Sequence, residues 1–478
     1  MWTPADPDAL PSQSEIEHTR EAIQQLQNAI QDILEQARLR IVPLEKEIAA
    51  RQGWIAPVRK LPVEILTEIF LYSRAVSELS PVTISEVCRL WRRVILATPQ
   101  AWTLIYLRTE EHDRDDTQYL TTFIERSDPY PLHLWTPMDR FTIMEDSDDS
   151  GSSWVERDAP FPLSRLVVSH RNRITCLSIR GEELDKYMRK SFPNLTSLFV
   201  VDQAESPLFF TRDRFPRLTY LHAWYCGLRP GPVGTQYSPL QYLFIYTNDE
   251  EEENSDDWLR ILEACSATLK GLAIRGQLFE EPPTFTTEIR FPMLTYLFVD
   301  EFLDSRNSVT ALPTFYAIAP NLVSYETLIK VNSTVALHDN VRNVQYLRAS
   351  IFSDIAIYSS LRIFQLPLVN DESEDTWVLD APSPTLTTLL DLLMDSNTCP
   401  LLESIDILEN VDLLREEYGE SLYEWHQRSI RAFEDRLYDH RPLVTVRSVT
   451  KLSDLPGSLE SVRCNAEMPC QRIPRAYV

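Results

Sequence analysis

The chain has 478 residues, 44% of them hydrophobic and 24% charged, a composition that suits packed domains and excludes wholesale disorder. Its 71 acidic against 46 basic residues leave a formal charge of -25, which would repel a polyphosphate and argues against nucleic acid as a partner. Ten glycines are too few to favour phosphate-cradling loops, and seven cysteines without a CxxC pair indicate neither a disulfide framework nor a structural zinc site.

A reducing setting, cytoplasmic or nuclear, fits those cysteines, and the stretch from Met1 to Ser14 has no basic start followed by an apolar run. Residues 307–325 carry no charge, but Pro313 and Pro320 interrupt them, so they read as buried structure and no membrane partner is expected.

Residues 1–13 read as a flexible N-terminus. Over 14–53 apolar residues recur at Ile16, Ile23, Leu26, Ile30, Ile33, Ala37, Ile41, Leu44 and Ile48, which predicts one long amphipathic helix of coiled-coil type. Pro43 should kink or restart it, and Gly53 should close it. The seam suits either folding back on the next domain or self-association.

Residues 54–107 form a proline-punctuated helical block. Pro62 opens a helix carrying Val63, Leu66, Ile69 and Phe70; Pro81 opens a second with Val87, Trp91 and Ile95 on one face; Trp102, Leu104 and Tyr106 then alternate as in a strand. The string from Leu61-Pro62 through Val87-Cys88-Arg89 and Trp91-Arg92 to Pro99 and Trp102 resembles a fungal-type F-box, about 50 residues of the chain. That resemblance implies an all-α domain that docks on a Skp-type adaptor of a cullin-RING ubiquitin ligase core, leaving the rest of the chain to select an unknown protein substrate. The adaptor-binding residues it implies are Leu61, Pro62, Ile65, Leu66, Ile69, Val87, Cys88 and Trp91. Basic residues outnumber acidic ones here, which would attract an acidic partner.

Residues 108–165 read as a connecting segment with an acidic loop at 145–149. Over 166–450 one phrase recurs, as in Phe192-Pro193-Asn194-Leu195, Phe215-Pro216-Arg217-Leu218 and Phe291-Pro292-Met293-Leu294. Looser copies place anchors at Ile174, Leu195, Leu218, Leu240, Leu269, Leu294, Leu322, Val344, Leu361 and Leu402, each with apolar followers three and five residues on. The phrase is similar to a degenerate leucine-rich repeat, which implies an irregular α/β solenoid with strands after the anchors and helices between them. The prolines before the anchors are expected to end those helices. At position +8, where such repeats carry Asn or Cys, Cys226, Asn248 and Asn410 comply. A helix over 411–440 would cap the solenoid, and 451–478 form a tail. Acidic runs at 249–253 and 371–375 fall between repeats.

If +3 and +5 point inward, strand alternation turns +2, +4 and +6 to an open face. Those positions hold Phe199, Tyr220, His222, Trp224, Tyr242, Phe244, Tyr246, Tyr296 and Phe298, an aromatic surface expected to bind substrate. No catalytic, metal-binding or cofactor motif occurs: GxGxxG, GxxxxGK, GxSxG and HExxH are all absent. The expectation is a non-catalytic ligase subunit, or alternatively a leucine-rich interaction scaffold with no ligase role.

Overall fold

A computed structural model describes residues 12–74, 79–106, 115–135, 167–180, 190–201, 210–224, 234–246, 255–275, 287–300, 315–327, 335–337, 339–349, 355–367, 384–408 and 420–449. At some of these positions, Trp224 among them, only the backbone is described. The three acidic runs, the +8 residues Cys226, Asn248 and Asn410, and the tail lie outside the described residues. The fold is mixed α/β, with a long N-terminal helix and a parallel sheet. The chain divides into two compact units, Met1–Ile69 and Phe70–Val478.

The first unit holds helix α1, Gln13–Ile55. Its first turn is closed by a capping box: Ser12 Oγ accepts from the Glu15 N–H, and the Glu15 carboxylate accepts from the Ser12 N–H at 2.8 Å. Contrary to expectation the helix neither restarts at Pro43 nor ends at Gly53. Proline deletes one donor, and flanking runs of strong helix formers carry the helix past it. It stops at Ala56, whose extended backbone is what the following Pro57 requires. A 3₁₀ turn, Pro57–Lys60, leads into helix α2, Val63–Arg74.

In the second unit the expected single helix after Pro81 is two, α3, Ser80–Val87, and α4, Arg89–Leu96. Cys88 separates them with extended backbone (φ -161, ψ 169) and caps α4, its Sγ accepting from the Trp91 N–H at 3.5 Å. Val87 and Trp91 therefore share no helix face. Trp102 belongs to a 3₁₀ turn, Pro99–Trp102, and its indole N–H donates to the Ile95 carbonyl at 2.9 Å, so only Leu104–Tyr106 forms strand β1.

Among the described residues thirteen strands form one sheet, all neighbours parallel. In chain order they are β1, β2 (Leu132–Trp135), β3 (Ile174–Arg180), β4 (Ser197–Val201), β5 (Tyr220–Trp224), β6 (Tyr242–Tyr246) and β7 (Gly271–Arg275). They continue with β9 (Tyr296–Asp300), β11 (Ser324–Thr327), β13 (Tyr346–Ala349), β14 (Ile363–Pro367), β15 (Ser404–Leu408) and β16 (Thr445–Val449). The expected connecting segment thus supplies helix α5, Asp115–Arg126, and strand β2 of this sheet. Helices α6 (Ser255–Cys265) and α7 (Pro384–Leu393) lie between anchors as anticipated. Unanticipated are β8 (Thr287–Arg290), β10 (Phe315–Ile318) and β12 (Val335–Leu337), one in each of three successive crossovers, which pair into a second parallel sheet. Helix α8, Glu420–His440, covers the later part of the expected cap, whose first residues 411–419 are outside the described set.

Every anchor is buried, from Ile174 to Leu402, and from Leu195 onward each precedes its strand by two residues. Followers such as Leu198, Val200, Leu243, Ile245, Ile405 and Ile407 are fully buried as well. The proline before the anchor has a different role from the one expected: it does not end a helix but sits second in a β-turn. Leu195, Leu218, Leu294, Leu322 and Leu402 each donate their N–H to the carbonyl three residues back, at 3.1 to 3.3 Å, across Pro193, Pro216, Pro292, Pro320 and Pro400. Proline presets the φ that this turn position needs. The same turn recurs at Arg441-Pro442-Leu443-Val444, one residue ahead of β16, with Val444 half-buried.

Asparagine side chains tie neighbouring turns together. Asn194, Asn321 and Asn343, each just before an anchor, donate to the carbonyls of Asn172, Pro292 and Pro320 in the preceding unit at 2.6 to 2.8 Å. No described helix is long and apolar enough to cross a membrane. Leu294→Ala is expected to destabilise the second unit by ~2–5 kcal/mol, as a buried truncation does, and Asn321→Ala by ~0.5–1.5 kcal/mol, as one lost hydrogen bond does. Chemical denaturation of the two variants beside the parent measures both.

Candidate functional site

Helix α2 presents apolar side chains on opposite sides. Leu66 and Phe70, four apart, are each 1% exposed, whereas Ile65 and Ile69, also four apart, are 47% and 46% exposed. Pro62, three residues before Ile65, is exposed on that outer side, and Leu61 is half-buried. Tyr72 continues the outer row three residues beyond Ile69. Pro62, Ile65 and Ile69 therefore form a row open to a partner. Leu66 is a correction: one residue is ~100° of helix rotation, which turns it inward from Ile65 and takes it out of the adaptor-binding set.

The other three expected adaptor residues lie in the second unit and differ among themselves. Val87 is exposed, Cys88 is half-buried as the α4 cap, and the half-buried Trp91 ring packs on Phe70 with centroids 5.1 Å apart. Trp91 and Cys88 thus have structural work, and Val87 has none of this kind. Of the basic residues, Arg74 is committed to the Gln100 carbonyl and the Thr103 hydroxyl, and Arg92 donates to the Ser85 carbonyl at 2.7 Å. Arg89 and Arg93 are exposed.

The aromatic surface is not open. Phe199 and Phe244 are 0% exposed, His222 1%, Tyr220 and Tyr296 2%, Tyr246 and Phe298 6%. Tyr242 is half-buried, and the Trp224 side chain lies outside the description. The expectation of an exposed substrate face is corrected for these residues, and its physical cause is the ladder itself. Parallel strands in equal register place like positions ~4.8 Å apart, the spacing at which flat rings occlude one another. Phe199 meets Trp135, Tyr220 and His222 with centroids at 4.8, 5.1 and 5.8 Å, while Phe244 meets Tyr220 at 5.2 Å. Gly271 makes room within this stack: a Cβ there would lie 2.7 Å from Cδ1 of Tyr242.

Along the fourth position after the anchors, paired residues read Phe199, His222, Phe244, Ala273, Phe298, then Glu326, Arg348, Gln365 and Asp406, and Asp406 is paired with Arg447 of β16. One row changes from aromatic to ionic at β11. Glu326 accepts from Arg348 Nη1 and from the Tyr296 hydroxyl, both at 3.2 Å, and all three residues are buried. Asp406, 1% exposed, accepts Arg447 Nε and Nη2 at 2.7 and 2.8 Å. Sequence reading missed this ionic stretch because Glu326 and Arg348 lie 22 residues apart, and only register brings them together.

Burial pushes the Cys265 thiol up to about 12 and the Cys399 thiol up to about 11, which makes both poor nucleophiles at neutral pH. Tyr296 is pushed well up, first by burial and then by the neighbouring Glu326 carboxylate. Among the described residues no group of three or more His, Cys, Asp or Glu could hold a metal ion. The chain matches no protein-family model and no curated protein.

Phe244→Ala should cost ~3–5 kcal/mol of stability, as a buried aromatic does, and Arg348→Met ~3–5 kcal/mol because it takes a buried cation away from the Glu326 carboxylate. Denaturant titrations test both. Because the folded state holds the Cys265, Cys399 and Tyr296 protons more tightly than the unfolded chain, their contribution is complete below about pH 9 and is lost as pH climbs towards 12. Melting temperature should fall across that interval, and less steeply in Tyr296→Phe.

Proposed function

We propose that this chain is a substrate-recruiting F-box subunit of a cullin-RING ubiquitin ligase. The observation that carries the reading is the outer row of α2: Pro62, Ile65 and Ile69 are exposed beside a buried Leu66, at the positions where the F-box resemblance places adaptor contacts. A soluble protein keeps such an apolar row open when a partner covers it. In this reading α2, α3 and α4 are the F-box helices, and Pro62, Ile65 and Ile69 meet a Skp-type adaptor.

The long sheet, on this proposal, is a degenerate leucine-rich solenoid. Buried anchors two residues ahead of strands that pair parallel in chain order support that assignment. The chain contributes no covalent step. It raises the effective concentration of a bound target near a ubiquitin-loaded enzyme held by other subunits. Target recognition falls to surfaces other than the buried aromatic stack.

The test is capture of a Skp-type adaptor by the purified chain. Ile65→Asp with Ile69→Asp should abolish capture and leave thermal unfolding within ~0.5 kcal/mol of the parent, as exposed positions do. Leu66→Ala should lower stability by ~2–5 kcal/mol, the mark of an internal residue. Undiminished capture by the double variant, or failure of the parent chain to bind the adaptor at all, would overturn the proposal in favour of a leucine-rich scaffold without a ligase role.

A further inference from the structure

Helix α1 runs for 43 residues, and none of them is buried. Along it the apolar seam stays uncovered: Ile23 is 49% exposed, Leu26 66%, Ile30 55%, Ile33 65%, Leu44 59% and Ile48 55%. A helix this long and bare on its apolar side is only half of a packed structure. The seam has the spacing of a two-stranded coiled coil. Ile16, Ile23 and Ile30 occupy a positions, while Thr19, Leu26 and Ile33 occupy d positions. Isoleucine at a with leucine at d, the pairing that favours two parallel strands, recurs at Ile23 with Leu26 and at Ile41 with Leu44.

After Ile33 two successive steps of four, to Ala37 and then Ile41, shift the phase once, and the spacing resumes through Leu44, Ile48 and Ile55. Such a stutter unwinds a supercoil locally without interrupting the seam. In the resumed phase Pro43 falls at a c position, away from the interface, so its missing donor does not meet the partner strand. Arg51, at a d position, is held by Glu47 of its own helix.

Flanking charge selects the arrangement. In a parallel, in-register pair each g residue faces the e residue five places on in the partner strand. These pairs are Glu15 with Arg20 and Arg40 with Glu45, both of opposite sign; Ala22 with Gln27, Ala29 with Leu34 and Glu47 with Gln52 contain no like charges. Two attractions and no like-charge pair among the g–e contacts, with the Arg51 charge at d balanced by Glu47 of its own helix, lie beside an uncovered seam and commit the surface to one occupant.

We propose that α1 pairs in parallel and in register with α1 of a second copy of this chain, making the protein a two-fold dimer. This inference stands apart from the ligase reading.

Sedimentation equilibrium of the full chain should give twice 55.4 kDa. Ile23→Asp with Ile30→Asp should return the mass to that of one chain with the thermal transition of the sheet unchanged. Arg40→Glu should weaken the dimer by setting like charges together, and adding Glu45→Arg should restore it. Ile23→Cys should form an interchain disulfide under mild oxidation that the parent does not form, since an antiparallel pair would hold the two positions far apart. A one-chain mass for the parent, a dimer that survives both aspartates, or no recovery on charge exchange would overturn the proposal.

Discussion

One backbone hydrogen bond, repeated, holds the sheet. In each unit the residue after the anchor donates its N–H to the carbonyl of the equivalent residue in the unit before. The series runs from Thr175 through Thr196, Thr219, Gln241, Lys270, Thr295, Val323, Gln345, Arg362 and Glu403 to Thr445, at 2.7 to 3.0 Å throughout. From β3 to β15 these links join equivalent positions, so register is kept across that span whatever the length of chain that intervenes. Like side chains must then stack on like, and this constraint decides the rest. It turns leucines into a continuous core, rings into an occluded stack, and an acid 22 residues from a base into a buried pair. Hydroxyls of Thr196 and Thr295 strengthen the series by donating to the same carbonyls, those of Thr175 and Lys270.

Much of this was legible in the linear text, for a physical reason. Anchors and followers have fixed local spacing, so the strands from Ser197–Val201 to Ser404–Leu408 could be located from leucine phrases alone. The α1 seam and the apolar content of α2 were readable likewise. Three things were not. Whether Leu66 or Ile65 faces outward depends on how the helix is seated, and composition treats the two alike. The break at Cys88 rests on its backbone, in a residue type with little preference for capping. The aromatic residues were assigned to the correct positions but the wrong environment, because alternation fixes which side of a strand a residue is on and says nothing of what its neighbours occlude.

The two apolar surfaces that remain open differ in kind. The outer row of α2 is short, presented by a helix whose other side is fully engaged, and suits a partner arriving from outside. The seam of α1 is long, periodic and self-complementary in charge. On the two proposals made above, holding and pairing fall to separate helices: α2 would engage the adaptor, and α1 would bring two such engagements together.

The turns that introduce the strands carry a consequence for the unfolded chain. Ten glycines serve the whole sequence, and the turns ahead of Leu195, Leu218, Leu294, Leu322, Leu402 and Val444 use proline where many proteins would use a freely rotating residue. A proline that already holds its native φ deprives the denatured ensemble of conformations and is worth ~0.4–1 kcal/mol wherever it fits. Six such positions, ahead of β4, β5, β9, β11, β15 and β16, shrink the entropy that folding must overcome. Part of the stability of this fold therefore resides in no contact at all: it lies in freedom that the unfolded polypeptide does not possess.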